Sequence, residues 1–407
     1  MKTTIIAGML GALAAFSGMG FSAEGFDPER LEVLHRTTKS FVEEGKHAGI
    51  ITLLAQEGKI ADLQTYGYRD LENKLPMERD TICRIYSMSK IVTSVATLIL
   101  FEEGKFNLDD PAERYLPELK GMRLFNAGGS PERATSPRPI TIRHLLTHTS
   151  GLIYDFDEND PLGKIYKEAE LWSAKDLNEF MKKVGKLPLR HAPGDQFTYG
   201  INTDVLGALI ERVSGKGFGE FLEERLFEPL GMKDTGFDVP ADKTNRVAIT
   251  YKQGPDGKLV EDAPIIGTWT EEGRGIESGG GGLFSTANDY FQFAQMLLNG
   301  GRLDGKRILG RKTVELMTAN HLLSLPDQEE VAKRAQGFGL GVEVQQDLGR
   351  GAQPGSPGAF GWYGAATTYV RIDPREEVVA IAFAQHFPFN QHNFFGKFTT
   401  GYYQALR

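Results

Sequence analysis

Hydrophobic positions along the chain follow two rhythms, helical and extended, and each predicts its own elements. Leu31, Val33, Leu34, Thr38 and Phe41 form a largely apolar stripe at helical spacing. Asp27 can cap that helix and Pro28 suits its first turn. Ala48–Ala55 and Lys59–Tyr68 are short β-rich runs joined by Gln56-Glu57-Gly58, which predicts a hairpin. From Ser87 the spacing turns helical again, through Ile91, Val92, Val95, Ala96, Leu98, Ile99 and Leu100. That stretch is apolar nearly all round, so it predicts a buried helix, ended by Gly104. Further helices are expected over Ile142–Leu146, Ala174–Val184, Thr203–Val213 and Ala287–Asn299. Thr367–Asp373 and Glu377–Gln385 predict a second hairpin, and Gln391–Ala405 a last helix.

Strands therefore sit near both ends and helices in the middle. The expected fold class is α+β, with an inserted helical region. The body is expected over residues 24–110 and 255–407, and the helical insert over 111–254. Periodicity alone does not say that the two terminal hairpins share a sheet. Ala127–Pro139 is a loop excursion rich in turn formers, and no internal repeat is present. Met1–Ala23 reads as a cleaved signal peptide: Lys2, an apolar core from Ile5 to Phe16, then small residues up to Ala23. Gly, Ser and Thr dilute it too far for a spanning helix, and no cysteine near the cut offers a lipid attachment point. The mature protein is expected in the periplasm or secreted, without stable membrane insertion.

Composition narrows the choice. The chain has 407 residues, 40% of them hydrophobic, which excludes disorder as a whole. Cys83 is the only cysteine, so no intramolecular disulfide can form. Lys and Arg number 46 against 54 Asp and Glu, a net charge of −8 without a long basic run, so no nucleic-acid partner is expected.

The strongest candidate chemistry is Ser87-Met88-Ser89-Lys90 at the mouth of the buried helix. Positions i and i+3 lie on one helix face, so the Ser87 hydroxyl and the Lys90 amine can meet. A serine hydroxyl needs an adjacent base to become a nucleophile, and burial favours the neutral, basic form of a lysine. By itself the motif arises easily by chance. Tyr199 follows the turn residues Pro193-Gly194-Asp195 and leads into a helix; a phenol beside a lysine can shuttle a proton, although alone it reads as one more packed tyrosine. Phe360-Gly361-Trp362-Tyr363-Gly364-Ala365-Ala366 stands at the entry to a strand, where glycine lets a ligand approach the backbone and a free N–H can bind an oxyanion.

Other features favour structural readings. His144 and His148 are four apart, but no Glu follows the first and no third ligand is evident, so both read as structural and no metal is expected. Gly279–Gly282 lacks the Lys-Ser/Thr of a phosphate loop and reads as a tight backbone crossing. Cys83 reads as a buried apolar residue, and no Gly-x-Ser-x-Gly elbow is present.

Taken in order, the motifs are more telling. They are Arg84–Lys90, Ile140–Leu152, Tyr199 ahead of Asp204-Val205-Leu206-Gly207, Ser278–Leu283 and Gly361-Trp362-Tyr363-Gly364. Together they resemble the serine β-lactamase and penicillin-binding superfamily, on its class C side, and most of all the family VIII carboxylesterases. The likeness runs from about Phe26 to Arg407. It implies an antiparallel sheet flanked by helices, with a helical domain inserted. It implies Ser87 as acylated nucleophile, Lys90 and Tyr199 as base and proton shuttle, and an oxyanion hole from the backbone N–H groups of Ser87 and Ala365. Trp362, Tyr363 and Gly364 would contact substrate, and no metal or organic cofactor is implied.

Two departures point towards esters. Penicillin-recognising enzymes usually carry Tyr-x-Asn, whereas the third position here is Ile201 and Asn202 comes next. Their third motif begins with Lys or His, whereas this one begins with Trp362. A missing cation removes a charge-assisted contact of roughly 1.5–3 kcal/mol to an antibiotic's carboxylate. What is left is an aromatic mouth suited to uncharged acyl groups, which Tyr363 is expected to narrow. The leading expectation is an exported serine esterase acting on small-molecule esters. The alternatives are amide hydrolysis at the same site (β-lactamase, D-peptidase or D-amino-acid amidase), acyl transfer, or a binding module with a dead site.

Overall fold

The computed structural model describes residues 25–126, 134–263, 275–327 and 335–407. Residues 1–24, where the expected signal peptide falls, and residues 127–133 of the Ala127–Pro139 excursion lie outside the described residues.

Helix α1 (Pro28–Glu43) begins where the Asp27 carboxylate accepts from the Arg30 N–H at 3.1 Å. Strands β1 (Gly49–Gln56) and β2 (Lys59–Asp70) form the expected hairpin. Its turn residues Glu57 and Gly58 both have positive φ, 50° and 78°, the backbone that matches the twist of a two-residue hairpin. β3 (Leu75–Pro76) pairs along β2. After the helical middle come β4 (Gln336–Phe338), β5 (Glu343–Gln345), β6 (Phe360–Gly364), β7 (Thr368–Asp373) and β8 (Val378–Phe383).

The terminal hairpins share one sheet. β1 pairs antiparallel with β8, Ile51 facing Phe383 and Gln56 facing Val378. The eight-stranded order is β4-β5-β6-β7-β8-β1-β2-β3, and every pairing is antiparallel.

Both faces of the central strands are covered, which is why β1 and β8 read as continuous apolar runs rather than alternating ones. Ile51, Leu53 and Ala55, with Val379, Ile381 and Phe383, face the larger core, shared with helix α2 (Ser89–Glu102). Ile50 and Leu54, with Val378, Ala380 and Ala382, face the opposite core, closed by α1 and the last helix. Every residue of α2 from Ser89 to Leu100 is buried, as an all-round apolar helix requires.

The helical middle contains α3 (Ile142–Leu146) and α4 (Asn202–Ser214), and α4 packs on α2. α5 (Ala287–Leu298) and α6 (Phe394–Tyr403) follow. Four helix starts differ from expectation, α4 by one residue, at Asn202 rather than Thr203. α2 begins at Ser89, because Tyr86–Met88 forms a separate 3₁₀ turn in which Tyr86 has φ 43°. The helix expected from Ala174 begins at Leu177, where the Asp176 side chain accepts from the Glu179 N–H at 2.7 Å. α6 begins at Phe394 rather than Gln391, since Asn390, His392 and Asn393 all have positive φ, which an α-helix does not admit. No helix among the described residues is long and apolar enough to cross a membrane.

Candidate active site

Ser87 sits in the 3₁₀ turn ahead of α2, and its position is held from several directions. The Ile85 N–H donates to the Leu283 carbonyl at 3.0 Å. The Tyr290 hydroxyl donates to the Met88 carbonyl at 2.9 Å, and Thr368 Oγ1 on β7 donates to the Ile85 carbonyl at 3.1 Å. A left-handed residue directly before Ser87 is strained backbone, which persists only where the surroundings over-determine it. These bonds supply that constraint.

Lys90 is 1% exposed. Its Nζ donates to Ser87 Oγ at 3.2 Å, to the Tyr154 hydroxyl at 3.0 Å and to the Gly280 carbonyl at 2.6 Å. Nζ thus has three oxygen neighbours at hydrogen-bond distance. The expected Ser87–Lys90 contact is therefore present, one turn apart at the head of α2.

Sequence reasoning missed the other two partners of Lys90. Tyr154 lies two residues past the Leu152 that ended the quoted motif. Its hydroxyl donates to Asp204 Oδ2 at 3.2 Å while accepting from Lys90. Burial pushes the Tyr154 phenol well above its ordinary range, and the Asp204 carboxylate adds to that, so the phenol keeps its proton. Asp204, on α4, is fully buried and also accepts from the Ser278 hydroxyl at 2.5 Å and the Gly280 N–H at 2.9 Å. Burial raises its carboxyl, while Lys90 and these hydrogen bonds work against the rise.

The glycine run is the tight crossing that was expected. A Cβ on Gly279 would meet the Thr203 carbonyl at 2.5 Å, and one on Gly280 would meet Asp204 Oδ2 at 2.4 Å and the Tyr154 hydroxyl at 2.6 Å. The crossing also delivers the Gly280 carbonyl to Lys90.

Tyr199 stands beside this group but is joined to it differently. Its ring centroid is 4.7 Å from Lys90 Nζ, a cation–π contact, and its hydroxyl accepts from Trp362 Nε1 at 3.3 Å. The histidines have the structural roles read from sequence. His148 Nδ1 faces the Asn202 amide at 2.9 Å, and the His148 carbonyl accepts from the Thr198 N–H at 2.7 Å, so this segment holds the loop that presents Tyr199. Burial holds His148 well below the ordinary histidine range, hence neutral. His144 Nδ1 accepts from the Thr141 N–H at 3.1 Å and closes the capping box of α3. Cys83 is completely buried, and burial raises its thiol.

Ser87, Tyr199, Trp362, Tyr363 and Ala365 line one cavity of about 580 Å³, completed by Phe156, Phe387, Phe389 and Phe395. Gln353 and Asn390 are the other lining residues, so no charged side chain lines it among the described residues. Gly364 is not in the lining. It lies where β6 crosses the Ser87 turn, and a Cβ there would meet the Ile85 carbonyl at 2.3 Å. Among the described residues no three His, Cys, Asp or Glu side chains are placed to share a metal ion.

The Beta-lactamase family model matches residues 34–397, and the chain belongs to that family. Protein Rv1367c of Mycobacterium tuberculosis is 35% identical over 353 residues, covering 84% of this chain and 87% of that one. Esterase EstB of Burkholderia gladioli is 32% identical over 268 residues, 61% of this chain and 65% of its own. The solved structure of EstCE1, described as a hydrolase with promiscuous acyltransferase activity, superposes with a TM-score of 0.77 at 26% identity, covering 92% of this chain and 99% of that one. The fold is the β-lactamase-like one, and the chain is an enzyme of the serine-hydrolase kind.

Proposed function

We propose that this chain is a serine carboxylesterase. The observation that carries the reading is the Ser87 hydroxyl 3.2 Å from Lys90 Nζ, in a cavity lined by aromatic rings and no charge. Ser87 Oγ attacks the ester carbonyl carbon as its proton passes to the Lys90 amine. The carbonyl oxygen takes up the negative charge, with the backbone N–H groups of Ser87 and Ala365 as its donors. The tetrahedral adduct collapses, the C–O bond to the alcohol breaks, and the alcohol leaves with the proton returned through Lys90 or Tyr199. Water then repeats the sequence, releasing the acid and free Ser87. Tyr154, kept protonated, holds Lys90 in place rather than acting as the base.

The uncharged cavity favours esters over β-lactams, whose carboxylate finds no cation in the lining. Acyl transfer to an alcohol is the second reading. It is favoured by the likeness to EstCE1 and by aromatic walls that can hold an apolar acceptor against the acyl-enzyme. Export through Met1–Ala23, and the division into a body of 24–110 and 255–407 with an insert of 111–254, belong to the same proposal.

Purified protein and its Ser87→Ala variant, given p-nitrophenyl butyrate and a chromogenic cephalosporin, test the reading. Ester turnover that exceeds cephalosporin turnover and disappears in the variant is expected. Unchanged ester turnover in Ser87→Ala would sink it. Added alcohols, with the products analysed, separate hydrolysis from transfer.

A further inference from the structure

A second, smaller cavity of about 100 Å³ adjoins the reaction cavity. Tyr363 and Gln353 line both, so Tyr363 stands as the partition between them. Their chemistry differs. The reaction cavity is walled by aromatic rings, whereas Gln336, Gln345, Arg371 and Tyr403 are among the walls of the smaller one. No Asp or Glu lines the smaller cavity among the described residues.

Arg371 comes from β7, opposite Gly361 of β6, and is 8% exposed. Its Nη2 donates to Glu343 Oε1 at 2.9 Å and to the Tyr363 hydroxyl at 2.8 Å. The Tyr363 hydroxyl donates to the same Glu343 oxygen at 3.0 Å. Arg371 Nη1 is buried and has no partner among the described residues. Leaving a buried charged donor unmet is costly, and such a donor is the natural seat of an anionic oxygen. Neither neighbouring tyrosine meets Nη1: the Tyr363 hydroxyl accepts from Nη2 instead, and the Tyr403 hydroxyl donates to Asp373 at 2.6 Å. The cavity thus combines an unused guanidinium donor with a lining free of negative side chains.

We propose that this cavity is a carboxylate subsite of the reaction cavity. It takes esters that carry a carboxylate several bonds from the scissile carbonyl. The apolar stem lies along the aromatic wall, passes Gln353 and the edge of Tyr363, and sets its charged end on Arg371. The proposal rests on the esterase reading. A free small carboxylate would satisfy the same donor, so the test separates the two sources.

Two matched pairs of substrates decide it. On the acyl side, mono-p-nitrophenyl glutarate is compared with p-nitrophenyl methyl glutarate. On the alcohol side, 4-acetoxybutanoate is compared with its methyl ester. The charged member of at least one pair is expected to have a kcat/KM about tenfold higher or more, expressed in KM, as one charge-assisted hydrogen bond supplies. That preference should vanish in Arg371→Met combined with Glu343→Gln, which removes the guanidinium without stranding the Glu343 charge. Free glutarate should inhibit the charged substrate competitively. Equal kcat/KM within both pairs overturns the subsite while ester hydrolysis stands, and needs no variant to fold. Glutarate that raises the thermal midpoint without either pair discriminating also overturns it, by showing an anion site separate from substrate. No turnover of any of the four esters would overturn the esterase reading and the subsite with it.

Discussion

The Tyr154 hydroxyl lies 3.0 Å from Lys90 Nζ and passes its own hydrogen to Asp204 at 3.2 Å. Tyr154, rather than Tyr199, is therefore the phenol hydrogen-bonded to the lysine. Tyr154→Phe removes both bonds and keeps the ring stacked on Phe156, 4.7 Å between centroids. A fall in kcat of about 10–100-fold is expected, with KM little changed, because the loss falls on proton handling rather than on substrate contact. Wild-type kcat in the variant would remove Tyr154 from the site's chemistry.

Trp362 acts on Tyr199 through one bond, from Nε1 to the phenol at 3.3 Å. Trp362→Phe should keep the edge contact with Phe338 and lose only the donor. The expected result is a drop in kcat of about tenfold, the size of one ordinary hydrogen bond. Combining it with Tyr199→Phe should add little further loss, since the two share one interaction. Full additivity in that double variant would show that they act independently.

Gly364 tests whether β6 fixes the Ser87 turn. A Cβ there would lie 2.0 Å from Thr368 Oγ1 and 2.3 Å from the Ile85 carbonyl, so Gly364→Ala must part the strand from the turn. A stability loss of about 1–3 kcal/mol in urea unfolding is expected, together with reduced activity. Gly257 is the control: its φ is 79° with nothing near its Cβ position, so Gly257→Ala carries backbone strain alone and should leave activity intact.

Acid should weaken the fold through His47. It is buried among Phe41, Phe394, His386 and His392, and neither ring nitrogen has a partner among the described residues. Burial chiefly, then His386, His392 and Lys46, pull it down to about 2. His386 is lowered by burial, although Gln391 opposes this, and His392 is lowered by burial and by Lys46 and Lys397 against Glu44. A folded-state pKa below the unfolded one leaves stability intact above about pH 6.5 and erodes it as pH falls, by about 1.4 kcal/mol per unit for a fully suppressed histidine. His35 has the opposite sign: Asp62 raises it, so its contribution is present at low pH and fades as pH rises. Thermal midpoints from pH 7.5 to 4.5 should fall, and His47→Phe should flatten the fall. An identical slope in His47→Phe would show that the acid sensitivity lies elsewhere. Because the His386 backbone N–H donates to the Ala366 carbonyl at 2.9 Å, beside Ala365, loosening of this segment should lower activity over the same range.

Much of this was legible along the chain because it is local. The hairpin turn at Glu57-Gly58, the Asp27 cap and the i, i+3 pairing of Ser87 with Lys90 each depend on a few neighbouring residues and the fixed geometry of the backbone. The same holds for reading His148 as structural: no ligand spacing surrounds it, and it serves the Tyr199 loop. Where a helix start was misplaced, as at Gln391, the cause was a run of left-handed residues, Asn390, His392 and Asn393, that carries no periodic signal.

The ordered motifs were enough to determine the family, the nucleophile candidate and the aromatic character of the mouth, since residue identity sets what a side chain can do chemically. They could not show that residues 49–56 and 378–383 are sheet neighbours, or that Lys90 Nζ also meets Tyr154 and Gly280, 64 and 190 positions away. Nor could they show the unmet Arg371 nitrogen behind Tyr363. Such contacts follow from closing the sheet and packing α4 and the glycine run against α2. Which buried donor meets an acceptor is settled by that packing, and hydrophobic burial, which drives it, leaves no mark of partner identity in the local sequence.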